Sequence, residues 1–344
     1  MHYVGVDLHK EQSWFYVSNS EGKRVFSKSV PNSEETLNTV FKEIPKPFQL
    51  AVESTYNWYF FVDIAELYAD KAFLANSYEL KAFAKRNKKT DKIDAKLICD
   101  VLRKGYLPSV RIAPKNIRQA RELLRYRVSL VRERTYNINK LKALLDKLGN
   151  ISSGDFTTYK RLDAIRTTEL PEIYGSVING YISRIKFLTE KIRKMISYLE
   201  EVFGNDEEVQ NLITVPGLSY FSAALVKSEI IDISDFTCFN RLCSYAGLAP
   251  RVSQSAGKDV HGPLSKNRRK MLQWILLEVV PHFIKADSER KEKYECLAKR
   301  KNRNTAKVIM ARDLLRIIYC VLKEKRPYYA NNFRPVAGVA LNGV

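Results

Sequence analysis

Residues 2–30, HYVGVDLHKEQSWFYVSNSEGKRVFSKSV, decide how this chain folds. Within them HYVGVDLH, SWFYVSNS and KRVFSKSV are short runs rich in β-branched and aromatic residues, separated by charged or Gly-bearing turns. They read as three consecutive β-strands. Downstream, FQLAVES (48–54) and KAFLANS (71–77) read as two more strands, whereas SEETLNTVFKEI (33–44), WYFFVDIAELYA (58–69) and DKIDAKLICDVLRK (91–104) carry helical periodicity. Three strands in succession, followed by alternating helix and strand, predict a mixed sheet covered by helices over residues 1–110.

That order is the one found in ribonuclease-H-like and RuvC-like folds. Beyond residue 110 the apolar period changes. Leu124, Val128, Val131, Ile138, Leu141, Leu145 and Leu148 fall mostly three and four apart, as do Ile178, Ile182, Ile185, Leu188, Ile192, Met195 and Leu199. Each set marks one apolar stripe on a long helix. NISSGDFTTYK (150–160) breaks them as a loop or tip, so the two helices either pair as an antiparallel hairpin, pack in some other intramolecular way, or dimerise. This gives a coiled-coil-like spacer over 111–205. A small, mainly helical domain follows over 206–328. It opens with LITVPGLSYFSAALVKSEI (212–230), a helix, Pro-Gly turn and helix, which is either a phosphate-holding helix-hairpin-helix or a plain helical turn. AGLAPRVSQSAGKDVHGPLSKNRRK (246–270) reads as a loop, MLQWILLEVVPHF (271–283) as an apolar helix and NTAKVIMARDLLRIIYCVLK (304–323) as a basic one, with an irregular tail over 329–344. The fold class is therefore α/β plus α.

With 344 residues and 45% hydrophobic content, the chain can bury two or three cores. Its net charge of +20 calls for a polyanionic partner. No apolar stretch reaches the roughly 20 residues needed to span a bilayer. The opening MHYVGVDLHK is interrupted by Asp7, unlike a signal peptide. Nucleic acid in a cytoplasmic setting, with no membrane partner, is the expectation. Cys99, Cys238, Cys243, Cys296 and Cys320 are scattered and form no CxxC pair, so they read as reduced thiols, mostly in the core.

The charge is concentrated. Residues 81–150 hold 20 Lys and Arg against 6 Asp and Glu, or +14 of the total. On the first long helix Arg118, Arg121, Arg125, Arg132 and Lys140 lie mostly off the leucine stripe, and only Glu122, Glu133 and Asp146 interrupt residues 101–150. A continuous basic face of that kind tracks a phosphate backbone, although a merely solvated face is the usual reading of helical charge. Lys88, Lys89, Lys266, Arg268 and Arg269 extend the candidate nucleic-acid contacts.

Four acids stand out against this background. Asp7 ends the first strand, Glu53 ends the AVE run, and Asp91 and Asp94 in KTDKIDA share one face at a helix start. Adjacent parallel strands would bring Asp7 and Glu53 together. Several carboxylates converging on a hard cation are what metal-assisted phosphodiester chemistry requires, so Mg2+, or Mn2+ in its place, is the expected cofactor. Taken singly, each acid could equally be a turn or helix cap.

GVDLHK (5–10), VEST (52–55) and KTDKIDA (89–95), in that order, resemble the N-terminal DEDD domain of the IS110 family of insertion-sequence transposases, which includes the Piv-type DNA invertases. TVPGLSYFSAALVKSEI, SYAGLAPRVSQSAGK, GPLSKNRRKML and AKVIMARDLL resemble the same family's C-terminal transposase domain. The resemblance implies DNA cutting and rejoining in the bacterial cytoplasm, at the nucleoid. It also implies that Ser255, in QSAG, attacks a DNA phosphate and forms a transient phosphoserine link, with Asp7, Glu53, Asp91 and Asp94 holding the metal. It implies further partners: donor and target DNA, a structured bridge RNA that guides the choice of both, and other copies of the chain in a dimer or tetramer. The sequence departs from the family pattern at Ala256, where glycine is usual, and at Lys266, Asn267, Arg268 and Arg269. The sequence supplies no obvious base for the serine: His261, six residues on, is either that base or an incidental loop histidine, and Ser253 is the alternative nucleophile. Two rivals stay open: a RuvC-type junction nuclease that uses water, and a non-catalytic basic RNA-binding scaffold.

Overall fold

Parity along the first strand organises everything around it. The computed structural model describes residues 1–84, 90–149, 154–166, 171–255, 258–265 and 267–329. The chain divides into two units, Met1–Ala113 and Pro114–Val344. The first runs β1 (His2–Leu8), β2 (Gln12–Asn19), β3 (Arg24–Pro31), α1 (Glu34–Glu43), β4 (Phe48–Glu53), α2 (Trp58–Ala65), β5 (Lys71–Ala75), a single turn α3 (Ser77–Leu80), α4 (Asp91–Arg103) and β6 (Ser109–Val110). The sheet order is β3-β2-β1-β4-β5-β6. β1 is antiparallel to β2 and parallel to β4, β4 is parallel to β5, and β5 is antiparallel to β6. The expected mixed sheet is present, with the five long strands where the residue patterns put them.

Val4, Val6 and Leu8 face one side of β1, in a core with Leu37, Val40, Phe41, Phe61 and Val62 of α1 and α2. Tyr3, Gly5 and Asp7 face the other. There α4 lies directly on the strand: a Cβ on Gly5 would stand 2.1 Å from the Ala95 carbonyl oxygen and 2.3 Å from the Cys99 amide nitrogen. The Cys99 thiol donates to the Tyr3 carbonyl at 3.2 Å and meets Ser18 Oγ at 3.2 Å. Burial pushes this thiol up to about 11, which suits an inert core cysteine. Since Ala95 meets Gly5 and Cys99 meets Tyr3, α4 runs antiparallel to β1, and its N-terminus with Asp91 and Asp94 arrives beside Asp7.

The second unit runs α5 (Lys115–Lys147), α6 (Tyr159–Arg166), α7 (Glu172–Phe203), α8 (Glu207–Ile213), α9 (Tyr220–Ile230), α10 (Phe239–Tyr245), β7 (Pro250–Ser255), β8 (Lys258–Leu264), α11 (Lys270–Lys285), α12 (Ser288–Arg300) and α13 (Arg303–Glu324). The two apolar stripes meet within the chain. Leu141 and Leu145 pack with Ile178, Ile182 and Ile185, whereas Leu130 packs with Leu188, Ile192 and Met195. Rising numbers on α5 meet falling numbers on α7, so the helices form an antiparallel pair. Leu124, Leu199 and Phe203 at the base of this pair join the same core as α9, α11 and α13.

Between α8 and α9, Val215 and Leu218 are buried, so the side chains of that turn serve the core. The stretch read as a loop over 246–270 contains the β7–β8 hairpin, and α6, α10 and α12 were not anticipated. α12, SERKEKYECLAKR, buries no residue and so has no apolar stripe to detect. No helix among the described residues is long and apolar enough to cross a membrane.

Candidate active site

Asp7 is buried at the end of β1, on the strand face that carries α4. The parallel register pairs Val6 with Val52, so Glu53 follows on β4 beside Asp7 and shares its face. Asp91 and Asp94 occupy the first turn of α4, which starts where the Thr90 side chain accepts from the Ile93 amide. His9 completes the group. Its Nε2 lies 3.2 Å from Asp7 Oδ2 and 3.4 Å from Asp91 Oδ1, and ligand atoms of Asp7, His9 and Asp91 all fall within 4.8 Å of one another. The loop that presents His9 is pinned by its carbonyl, which accepts from Asn57 Nδ2 at 2.7 Å and from Asn32 Nδ2 at 2.8 Å.

The electrostatics tie all four acids together. Burial raises the Asp7 carboxyl to about 6, His9 opposes the rise, and Asp94, Asp91 and Glu53 each add to it. A buried carboxylate pressed by three others is poorly stabilised as an anion until a cation joins it. The donors are mainly carboxylate oxygens, which suits Mg2+; the imidazole nitrogen of His9 is a donor that Mn2+ accommodates more readily.

His9 was missed from sequence, although its spacing from Asp7 was a usable signal. Two residues on in an extended segment return to the same face. Ser255 is the last residue of β7, paired with Lys258 across the β-hairpin. The side chains of Ser253, Ser255 and His261 lie outside the described atoms.

Residues 4–150 match the profile of the DEDD transposase domain of IS110 elements, and residues 209–295 match that of the IS116/IS110/IS902 transposase family. The chain belongs to the IS110 family of transposases. The mixed-sheet unit is accordingly its RuvC-like DEDD domain. The transposase for insertion sequence element IS1111A of Coxiella burnetii is 24% identical over 334 residues, covering 94% of this chain and 90% of its own length. The transposase for insertion sequence element IS1328 of Yersinia enterocolitica is 25% identical over 276 residues, covering 80% and 81%.

The basic residues of the transposase separate into two groups. Arg132 and Lys140 are exposed on α5, near exposed Tyr126 and Tyr136, with Lys140 5.5 Å from the Tyr136 ring. Those tyrosines were also missed from sequence; aromatic rings among cations are suited to stacking on bases. Arg125, Arg268 and Arg269 are half-buried. Arg118 and Arg121 must be withdrawn from the candidate surface, being only 5% and 4% exposed. The first turns of α5 are wedged into the core through Ala120 and Leu124, and Arg121 caps the end of α9 by donating to the Ser228 and Glu229 carbonyls at 2.9 and 3.4 Å. Lys88, Lys89 and Lys266 lie outside the described residues.

A salt titration separates the groups. Arg132→Ala and Lys140→Ala are each expected to lower the slope of log affinity against log salt by about 1, without loss of thermal stability. Arg121→Ala is expected to leave the slope unchanged and lower Tm. Fluorescence anisotropy and thermal unfolding read both, and a reduced slope for Arg121→Ala would restore it to the binding surface.

Proposed function

We propose that this transposase cuts and rejoins DNA at the ends of an insertion sequence through a phosphoserine intermediate formed by Ser255, at a Mg2+ site made by Asp7, Glu53, Asp91 and Asp94. The observation that supports this reading is the buried Asp7 carboxylate, grouped with His9 and Asp91 and repelled as an anion by Asp94, Asp91 and Glu53, so that its charge calls for a cation. When bound, Mg2+ supplies charge stabilisation at the phosphate and at the attacking and leaving oxygens. Asp7 and Glu53, at the ends of two parallel strands, fix the floor of the site, while Asp91 and Asp94 come from the rigid start of α4. Ser255 Oγ gives up its proton as its bond to phosphorus forms, and the phosphorus bond to the neighbouring nucleotide oxygen breaks, leaving a hydroxyl on that strand. Attack by a hydroxyl of a second cut strand reverses the step and rejoins DNA in a new arrangement. Exchange of this kind needs several serines, so a dimer or tetramer assembles on donor and target DNA. The exposed basic and aromatic face of α5 receives phosphate backbone, including that of a structured guide RNA.

A second reading is favoured by one feature: all four acids belong to the first unit alone, as in a junction nuclease that activates water. Trapping separates the two. Wild-type protein quenched in denaturant after incubation with its element-end DNA and Mg2+ is expected to carry a covalent DNA adduct, which disappears in Ser255→Ala along with cleavage. Ser255→Ala protein that cuts at the wild-type rate favours the nuclease.

A further inference from the structure

Glu229, the penultimate residue of α9, is a carboxylate only 1% exposed and shared by two guanidinium groups. Arg269 Nε donates to its Oε2 at 2.5 Å, Arg125 Nη2 stands 3.7 Å from its Oε1, and Arg121 bonds the carbonyls on either side of its Cα. A buried anion is kept only when it is paired, and this one takes its guanidinium partners from two separate segments of the second unit, α5 and the residue before α11. Tyr245 closes the ring. Its hydroxyl donates to the Glu229 carbonyl at 3.0 Å, and its own carbonyl accepts from the Arg269 amide at 2.9 Å. Arg269 is therefore held at both side chain and backbone. Immediately after α9, Ile231 adopts φ 66° and ψ −68°, with the Asp232 amide bonded to the Ile230 carbonyl at 2.9 Å. That γ-turn is strained for a β-branched residue and persists only where its surroundings dictate it.

What the ring holds is the root of the β7–β8 hairpin. β7 leaves from Gly247, Leu248 and Ala249, and β8 returns through Ser265 to Arg268 and Arg269. Gly247, at φ +71°, lets the Arg268 side chain cross it, since a Cβ there would lie 2.5 Å from that side chain. Arg268 Nη1 donates to the Ser265 carbonyl at 2.8 Å, and Gln273 Nε2 donates to the Gly247 carbonyl at 2.7 Å. Both legs of the β-hairpin are thus tied within a few residues of the Glu229 ring, and the register places Ser255 at the far end of β7, opposite Lys258.

We propose that Glu229 is a positioning residue for Ser255: through Arg269 and Tyr245 it fixes the base of the β7–β8 hairpin, and so the direction in which that serine is presented to DNA. The role at the base rests on the contacts above; its catalytic consequence rests on Ser255 being the nucleophile. Full-length protein is compared as wild type, Glu229→Gln, Arg269→Lys and Glu208→Gln. The last, on α8, breaks a different ion pair to α9, with Lys227. Hydrogen exchange is followed peptide by peptide, and adduct formation is timed in a single turnover at saturating element-end DNA.

Glu229→Gln and Arg269→Lys are expected to speed exchange of the 250–264 amides about tenfold while leaving the α5–α7 pair unchanged. Adduct formation should fall about a hundredfold in both, as expected of a misdirected reacting group. Glu208→Gln should do neither. Unchanged hairpin exchange in both variants overturns the proposal, as does faster exchange with an unchanged adduct rate, or an equal loss in Glu208→Gln. If Glu229→Gln does not fold, Arg269→Lys decides, because it leaves Glu229 paired with Arg125. An adduct that survives Ser255→Ala overturns the serine assignment instead, and leaves the hairpin exchange result standing.

Discussion

Asp7→Asn is expected to abolish strand cleavage while making the metal-free protein more stable. The two effects have one cause. Burial and the neighbouring Asp94, Asp91 and Glu53 raise the Asp7 carboxyl from 3.8 to about 6, so its anion is penalised in the folded state relative to the unfolded chain. A carboxyl raised in this way supports folding while protonated, and that support is lost as pH climbs from about 4 through about 6. At neutral pH the amide escapes a penalty of at most about 3 kcal/mol. Saturating Mg2+ should reverse the order, stabilising wild type and leaving the variant unmoved. Cleavage should fall about a thousandfold or more, since several kcal/mol of charge stabilisation at the reacting phosphate disappear. Thermal unfolding with and without chelator, beside single-turnover cleavage, reads both. A variant that loses stability in chelator assigns Asp7 to structure alone.

Gly5→Ala should cost about 3 kcal/mol or more, at the upper end of what overpacking does. The added Cβ would meet the Ala95 carbonyl at 2.1 Å and the Cys99 amide at 2.3 Å, both backbone atoms that no rotamer change can move aside. The helix α4 must lift from β1, and Asp91 and Asp94 retreat with it, so stability and metal affinity should fall together. Gly180→Ala on α7 is the control. Nothing lies within 4 Å of its new Cβ. A gain of about 0.5–1 kcal/mol is expected there from helix propensity. Denaturant unfolding and calorimetric metal titration distinguish them; equal behaviour of the two variants would contradict the close packing of α4 on β1.

The elements that sequence revealed are those with a regular apolar pattern. HYVGVDL is buried on both faces, but only Val4, Val6 and Leu8, toward α1 and α2, are aliphatic, while α4 packs over Gly5 on the other face; the stripes of α5 and α7 persist because each helix buries a single side. The nearness of Asp7 and Glu53 followed from two adjacent parallel strands. His9 escaped notice because its alternation with Asp7 rests on one step past the strand. The β7–β8 hairpin escaped because PRVSQS and KDVHGPL mix Pro, Gly and Ser with few apolar residues, a composition shared with loops. Arg118 and Arg121 were misread because counting cations measures charge and not depth. Both occupy buried turns of α5, and the Arg121 guanidinium serves carbonyls at the end of α9 instead of phosphates. Glu229 carried no local signal, since its partners come from α5, α10 and the approach to α11.

The proposed function requires that the acids at the ends of β1 and β4 and the start of α4 bind a divalent cation. Titration of metal-stripped protein with Mn2+, followed by the electron paramagnetic resonance signal of the free ion, reads this without requiring DNA, RNA or activity. Wild type should withdraw Mn2+ from solution and release it to excess Mg2+, whereas Asp7→Asn and Asp94→Asn should leave the free signal at its protein-free level. Equal withdrawal by all three proteins would contradict the claim.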